Sequence, residues 1–242
     1  MNIPTGILIM CVVILIYIYD ATLLLYRNEV IVIAKFRSHY DVKFGNNDLT
    51  FLGKILFIPN LFLPHQPLYR LSWEPCKRTA DVGGDEVLEA TKQRLLGFAP
   101  YLWVMFVSLY VLLPVGLYIR HGLIVLLLSA LWFYMMTIMM LVFIFIDRKT
   151  IGISNSRFTA ICFESLICAP CALNITRKVS MAVAIQSEVA ELSKKILTPL
   201  AYISFIQSLL GVIDSQILIE TEGSPRFVKL QAYRLSISRE LI

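Results

Sequence analysis

The sequence predicts an integral membrane α-helical protein with about three transmembrane helices and small α+β regions outside the bilayer. Of its 242 residues, 57% are apolar or aromatic and only 16% are charged, whereas ordinary globular domains carry about 25% charged residues. The mean hydropathy is +0.72, and the apolar residues are concentrated in runs long enough to cross a bilayer. This composition argues against intrinsic disorder, collagen-like repeats and an ordinary soluble enzyme.

Residues 1–26 are predicted to form an N-terminal transmembrane anchor. Asp20 is the only charged residue between Ile3 and Tyr26. A helix needs about 20 residues to cross a hydrocarbon core of about 30 Å, and extending it through Asp20 to Tyr26 meets that requirement. The run ends in Tyr26, Arg27 and Asn28, not in the small residues of a signal-peptide cleavage site. We therefore expect a permanent anchor.

Residues 98–146 are predicted to form a transmembrane helical hairpin. Its two spans, Phe98 to about Ile119 and Gly122 to Ile146, are joined only by Arg120 and His121. So short a link makes them antiparallel neighbours. Pro114 should kink the first span, because proline removes a backbone hydrogen bond that a neighbouring helix or a local distortion must replace. A gating hinge at this proline is the functional alternative.

The basic residues predict how the spans are oriented. Residues 27–97 contain ten Lys and Arg and residues 147–242 contain eleven, whereas the hairpin link contains Arg120 alone and residues 1–4 contain none. Because positively charged flanks stay on the cytoplasmic side, we expect the N-terminus and the link outside. Both basic-rich regions would then face the cytoplasm, from a plasma (inner) membrane.

The region 27–97 is predicted to combine short strands with one amphipathic helix. Glu29 to Phe36 is rich in β-branched residues, and a second short apolar run covers Lys54 to Ile58. Pro59 to Trp73 contains too many prolines for a helix and is too apolar for a free linker. It should therefore lie on the membrane surface or against another polypeptide. Gly84 to Leu96 is helical in pattern, with acidic residues near its start and basic residues near its end.

The region 147–242 is predicted to be cytoplasmic and membrane-associated. Phe158 to Ile175 and Ile196 to Ile213 are apolar enough that either could be a further span, although we favour a helix buried in protein or lying at the interface for the second run. Ala182 to Lys195 has amphipathic helical spacing. Gln216 to Tyr233 contains two β-like runs around a turn and predicts a terminal β-hairpin.

The most suggestive motif is a C-x-P-C sequence, in which Cys168 and Cys171 enclose Ala169 and Pro170. Over these four residues it resembles the thioredoxin-type redox motif, and the resemblance implies a thiol pair that exchanges disulfides. The neighbouring sequence lacks that motif's preceding strand and flanking tryptophan. Structural cysteines in a tight apolar turn are therefore the favoured interpretation. A thiolate metal site that recruits Cys162 or Cys76 is a weaker one.

Two carboxylates lie in apolar surroundings, where an acidic group is a functional hypothesis because its desolvation must be offset. Asp20 lies within two helical turns of Arg27 and could simply reach the headgroups, or serve a proton or ion path. For Glu164 we expect a buried salt bridge with Arg157 or Arg177.

Other residues predict little chemistry. The three histidines, His39, His65 and His121, lie in separate segments and on two sides of the proposed membrane. A methionine cluster in the third span is typical of deformable helix packing, with Cu(I) binding the alternative; it comprises Met135, Met136, Met139 and Met140. No phosphate-binding, dinucleotide, nucleophile-elbow or zincin motif is present. We expect no cofactor, no metal and no nucleic-acid partner.

Three functions remain open at this stage. The favoured hypothesis is a non-catalytic accessory or scaffold subunit, not an enzyme, that docks other membrane-protein subunits or copies of itself through its cytoplasmic regions and membrane helices. The second is a membrane-tethered thiol-disulfide protein using Cys168 and Cys171. The third is an oligomeric small channel or transporter lined by Asp20 and the Pro114 kink.

Overall fold

The computed structural model describes residues 5–35, 39–73, 84–119, 122–183, 185 and 187–239. Helices dominate, and short strands occupy the segment between the first two of them. The helices are α1 Thr5–Ala21, α2 Gly84–Leu96, α3 Ala99–Val107, α4 Leu113–Tyr118, α5 Leu123–Ile151, α6 Asn155–Ile167, α7 Ala169–Ala172, α8 Ile175–Ala182, α9 Val189–Ile196, α10 Pro199–Ile217 and α11 Pro225–Ser238. The strands are β1 Leu23–Leu25, β2 Glu29–Ala34, β3 Tyr40–Lys43, β4 Asn46–Phe51, β5 Lys54–Phe57 and β6 Leu68–Ser72.

The first helix lies antiparallel to the first arm of the hairpin. Gly6, near the start of α1, packs against Leu117 at the end of α4. Farther along, the rings of Tyr17 and Tyr110 lie 5.8 Å apart. Because the contacting residues occur in opposite order along α1 and the first arm of the hairpin, the two helices are antiparallel. They lie side by side over most of α1.

The predicted extension of this helix to Tyr26 is wrong. The helix ends at Ala21, where the Thr22 hydroxyl donates a hydrogen bond to the carbonyl of Ile18 over 2.7 Å. The next three residues, Leu23–Leu25, form β1 and pair antiparallel with β5. Strand pairing replaces the last helical turn because it buries Leu23 and Leu25 between two sheets, which a helix pointing into solvent would not do.

The distortion expected at Pro114 takes the form of a π-turn, Ser108–Leu112, between α3 and α4. The N–H of Leu113 donates to the carbonyl of Ser108, five residues back. The hydroxyl of Ser129 on α5 donates to the same carbonyl over 3.0 Å. The proline is thus accommodated by a wider helical turn and by a bond from the neighbouring helix.

The hairpin turn brings two backbones into contact. A Cβ atom added to Gly122 would lie 1.7 Å from the carbonyl oxygen of Gly116, and one added to Gly116 would lie 2.8 Å from Leu126. Only glycine fits at this crossing. Arg120 and His121, which form the predicted link, lie outside the described residues.

The outward face of the hairpin is apolar, unlike that of a water-soluble helix pair. Between Leu123 and Ile146 the outward side chains of α5 are apolar and exposed, whereas Ser129 and Thr137 are buried towards α3 and the π-turn. Within the described part of the chain, three helices are long and apolar enough to cross a membrane, namely Ala99–Tyr118, Leu123–Ile151 and Pro199–Ile217. Two of these coincide with predicted spans. The described part of α1, at 17 residues, falls below that length.

Two small antiparallel sheets form the α+β module, with strand orders β1-β5-β4 and β3-β2-β6. Leu25 and Phe57 of the first sheet pack against Ile31 and Ile33 of the second. The opposite face of β2, including Val32, packs on α9, α10 and α11. The strand predicted over Glu29 to Phe36 is observed as β2 over Glu29–Ala34, and Phe36 lies outside the described residues. Its continuous apolar run reflects burial on both faces.

The α10 helix belongs to this module by its contacts. Its buried face consists of large apolar side chains, Tyr202, Phe205, Ile206, Leu209 and Ile213, whose partners are the β3-β2-β6 sheet and α11. Its exposed face includes Ser204, Gln207, Ser208, Gly211 and Ser215. Leu200 and Ile203 near its start are exposed as well. Although α10 is long enough to span, it buries one apolar face in protein and leaves a largely polar outer face, as in the predicted burial in protein.

Three predictions for residues 147–242 need correction. Phe158 to Ile175 is divided among α6, α7 and the start of α8, because Pro170 begins a new helix after Cys168. Of the run Ala182 to Lys195, Ala182 ends α8 and Val189 to Lys195 belong to α9, so that among the described residues between them the helix is interrupted. The prediction of a terminal β-hairpin is wrong, because Gln216 lies in α10 and the later run forms α11.

A helix forms here in place of the predicted hairpin because the residues around the turn at Gly223 favour a helix start. Gly223 adopts a left-handed conformation with φ 82°, and the Ser224 hydroxyl accepts a hydrogen bond from the N–H of Phe227 over 3.0 Å. Pro225 follows as the first helical residue. These features form a helix start. Leu230, Tyr233 and Ile237 then bury one face of α11 against α10.

Candidate functional site: a polar junction at the end of the first helix

The polar junction comprises Asp20, Glu164, Asn174, Arg177 and Lys178, where the end of α1 meets α6, α7 and α8. It also contacts the proline-rich loop, residues 59–67, which connects β5 to β6. Both carboxylates singled out from the sequence are brought together here. The C-x-P-C motif lies beside them, since α7 packs directly on α1.

Lys178 connects the two carboxylates. Its ammonium lies 2.8 Å from an oxygen of Asp20 and 2.8 Å from an oxygen of Glu164. Burial works against the charged form of Lys178, but hydrogen bonds and charge from both carboxylates outweigh it and raise the pKa of this lysine. The expected pairing of Glu164 with Arg157 or Arg177 is therefore wrong. Packing of α6 against α8 presents Lys178 to it instead.

Arg177 is the most deeply buried charge of the junction, with 1% of its surface exposed. Its guanidinium donates to the carbonyl oxygens of Asn60 and Leu63 over 2.6 and 2.9 Å, and to the side-chain oxygen of Asn174 over 3.0 Å. Asn174 in turn donates to Asp20 over 2.8 Å. Burial lowers the pKa of Arg177, while Tyr17 and Asp20 oppose that effect.

Sequence reasoning missed this role of Arg177. The loop contains Pro59, Pro64 and Pro67, which supply no N–H groups, so nearby carbonyls need donors from elsewhere. An arginine has five donors in a planar fork and can serve several carbonyls at once. The sequence signal was the combination of a proline-rich apolar segment and an arginine among apolar and small residues.

The proline-rich loop is also bonded to α1. The hydroxyl of Tyr17 donates to the carbonyl of Leu61 over 2.6 Å, and the ring of His65 lies 6.0 Å from that of Trp103 on α3. Phe62, between these contacts, is exposed. The segment therefore lies against helices of its own chain, at the ends of α1 and α3.

The two cysteines of the motif lie close together, and the pKa of Cys171 is raised. The Sγ atoms of Cys168 and Cys171 are 2.6 Å apart. Burial, the contact with Cys168 and the nearby charge of Asp20 all raise the pKa of Cys171, and Lys178 only partly opposes this. The thiol is therefore protonated at neutral pH, which disfavours nucleophilic attack. Cys162 is half-buried, and Cys76 lies outside the described residues.

The remaining candidates do not join this site. His39 and His65 lie on different segments, and His121 is outside the described residues. Met136 and Met140 are buried in the helical core, where they pack between hydrophobic neighbours. Within the ranges that the structure describes, no three His, Cys, Asp or Glu side chains gather into a metal-binding group.

The charged side chains of the polar junction connect several secondary-structure elements. Each carboxylate is bonded to Lys178, and Arg177 connects the proline-rich loop to α8 and, through Asn174, to α1.

Comparisons with family models, curated proteins and solved structures give no match. What the chain does must therefore be argued from its own surfaces.

Proposed function

We propose that this chain is a non-catalytic subunit of a membrane complex, anchored by α1 and the helical hairpin, whose α+β module docks a partner protein on the cytoplasmic side. The observation that carries the proposal is an exposed apolar patch around the turn at the end of β1 that points away from α1.

The membrane part is supported by side-chain polarity. Outward residues of α5 are apolar while Ser129 and Thr137 face inward, an arrangement that suits lipid. We assign α1 to the bilayer because it lies antiparallel along the hairpin. We place α10 outside it because its exposed face carries serine and glutamine.

The same assignment supports the predicted sidedness. The end of α1, the start of α3 and the end of α5 all lead directly into the α+β module or the short helices beside it. Arg94 and Asp147 form a salt bridge of 3.2 Å between α2 and the end of α5. Ten and eleven basic residues fall in the two regions on this face, which favours the cytoplasmic side.

The distal patch comprises Tyr26, Phe51, Leu52, Leu218 and Ile219, all exposed. Leu52 and Leu218 are 85% and 86% exposed. The members gather around the turn that follows β1 at its end away from α1. There Lys54 lies 4.5 Å from the ring of Tyr26, and Gln216 donates to the carbonyl of Arg27 over 3.3 Å.

The backbone at the tip of this patch supports a binding role. Leu52 has φ 51°, a left-handed conformation that costs a residue with a branched side chain roughly 1–2 kcal/mol. Asparagine or glycine is typical of such a turn. Backbone strain of this kind is concentrated at functional sites, and the exposed Leu52 side chain adds apolar surface that a protein partner could cover.

The experiment is affinity purification in mild detergent followed by size-exclusion chromatography with light scattering. We expect the wild-type chain to elute with a stoichiometric protein partner or as an oligomer, and the double variant Leu52→Asn, Ile219→Asn to lose it. Leu235→Asn removes an exposed leucine from α11 and should keep the partner. A wild-type monomer of 27.6 kDa without bound protein would refute the proposal.

A thiol-disulfide exchange function is the second candidate, favoured only by the 2.6 Å approach of the Cys168 and Cys171 sulfurs. In that reaction the two thiols lose two protons and two electrons and form one S–S bond, while a substrate disulfide is cleaved to two thiols. An unchanged thiol titration after incubation with oxidised glutathione would exclude it. Cys162→Ser serves as the control.

The channel hypothesis stays a prediction, and Asp20, on which it depends, is bonded to Lys178 and Asn174.

A further inference from the structure

A cleft of about 560 Å³ opens between the end of the β2–β3 hairpin and the proline-rich loop. One wall is polar and carries Lys35, Asp41 and Lys43; the other is largely apolar and includes Leu63 and Leu96. Neither the docking patch nor the polar junction shares these side chains.

The cleft lies at the level where the membrane helices begin. Leu96 is the last residue of α2, directly before α3. Leu63 and His65 belong to the loop that is bonded to α1 and packs beside Trp103 of α3. An apolar wall next to the first turn of a spanning helix is accessible to the upper part of a lipid chain.

The polar wall carries an excess of positive charge. Asp41 lies 3.2 Å from the ammonium of Lys35 and 3.6 Å from that of Lys43. Two cations therefore share one carboxylate, and both lysine side chains remain about half exposed. One positive charge is left for an anion, and a phosphodiester has one negative charge.

His65 adds a polar atom without a partner. Its Nδ1 is buried and makes no hydrogen bond with the described residues. Burial, and then the charge of Arg177, lower the pKa of this imidazole. The ring is therefore neutral at neutral pH and adds no second positive charge to the cleft.

We infer that this cleft binds the headgroup of an anionic phospholipid, with the phosphodiester against Lys35 and Lys43 and the first part of an acyl chain along Leu63 and Leu96. The inference rests on the proposed membrane insertion. It adds a lipid ligand, of the phosphatidylglycerol class, to the protein partner proposed above.

Native mass spectrometry of the detergent-solubilised chain tests this with two lipids in turn, phosphatidylglycerol and phosphatidylcholine. We expect the wild-type protein to retain one phosphatidylglycerol molecule and to prefer it to phosphatidylcholine. Because each basic residue near an anionic surface contributes about 1 kcal/mol, Lys35→Glu, Lys43→Glu should lower this retention by about tenfold or more. The control Lys194→Glu, Lys229→Glu makes the same charge change on α9 and α11 and should retain the lipid.

A milder variant, Lys35→Gln, Lys43→Gln, keeps the test valid if charge reversal prevents folding, and it should also lose the lipid. Equal retention of both lipids, or full retention by this variant, would overturn the inference. So would displacement of the lipid by millimolar glycerol 1-phosphate, since the ligand would then be a free phosphate compound. Alkaline carbonate extraction separates the two proposals, because a chain released from membranes refutes insertion, whereas a retained chain without lipid refutes only the cleft.

Discussion

Replacing Lys178 with methionine should destabilise the protein more than replacing either carboxylate of the polar junction. The ammonium of Lys178 contacts both Asp20 and Glu164 at 2.8 Å. Its removal would leave Asp20, whose side chain is only 17% exposed, with one remaining hydrogen bond from Asn174.

The expected loss of stability follows from the burial of the charge that is left behind. Removing one partner of a buried ion pair costs about 3–5 kcal/mol, because the other charge is left without compensation. Since Asp20 retains some exposure, we expect about 3 kcal/mol for Lys178→Met. Asp20→Asn should cost less, because Lys178 keeps Glu164. Glu164→Gln should cost below about 1 kcal/mol, since that side chain is 54% exposed.

Thermal unfolding in one detergent gives the comparison. A loss of about 3 kcal/mol corresponds to roughly 6–12 °C in Tm for a chain of this size. The double variant Asp20→Asn, Lys178→Met removes both buried charges and should recover part of the loss. If Glu164→Gln lowered Tm as much as Lys178→Met, or if the double variant showed the sum of the two single losses, the junction would not be held by the Asp20 contact.

Three further predictions concern the fold. Gly122→Ala should lower Tm because its Cβ would lie 1.7 Å from the carbonyl of Gly116, whereas Gly211→Ala, with nothing within 4 Å of the new Cβ, should raise stability by up to about 1 kcal/mol; equal effects would contradict the close crossing. Leu52→Asn should stabilise the isolated protein by up to about 1 kcal/mol by relieving the turn, and a loss of stability in thermal unfolding would count against strain. His65 has a folded pKa below its unfolded value, so the unfolded chain takes up the proton first and stability should fall as pH decreases below about 6.5; His65→Gln should flatten this profile, and an identical profile would show that another group is responsible.

Elements with a strong local signal were predictable. The α2 helix begins at Gly84 and ends at Leu96, as its charge order indicated, and β2 follows from an uninterrupted β-branched run. The hairpin follows from two long apolar runs and a short link. In each case the deciding interactions are backbone hydrogen bonds and burial within the segment itself.

Elements whose conformation depends on distant partners were mispredicted. Leu23–Leu25 continues an apolar helix in sequence, yet it pairs with β5 about thirty residues away. The run after Gly223 is β-like in composition, yet it is helical because α10 offers a surface for one of its faces. Local propensity is a weak preference that tertiary burial overrides.

In the polar junction, too, the local sequence predicted some features and contacts between distant segments decided the others. From the sequence, Asp20, Glu164 and the Cys168 and Cys171 pair could be named, because charges and paired thiols in apolar surroundings stand out in composition. That Asp20 and Glu164 share Lys178, and that Arg177 supports a loop more than a hundred residues earlier, required the helices to be packed together. Hydrophobicity alone therefore predicted the long apolar helices of the hairpin, which are long and apolar enough to cross a membrane. Which charges neutralise one another, and which apolar and basic surfaces stay exposed, only the tertiary structure decided, because these interactions join groups that the sequence keeps far apart.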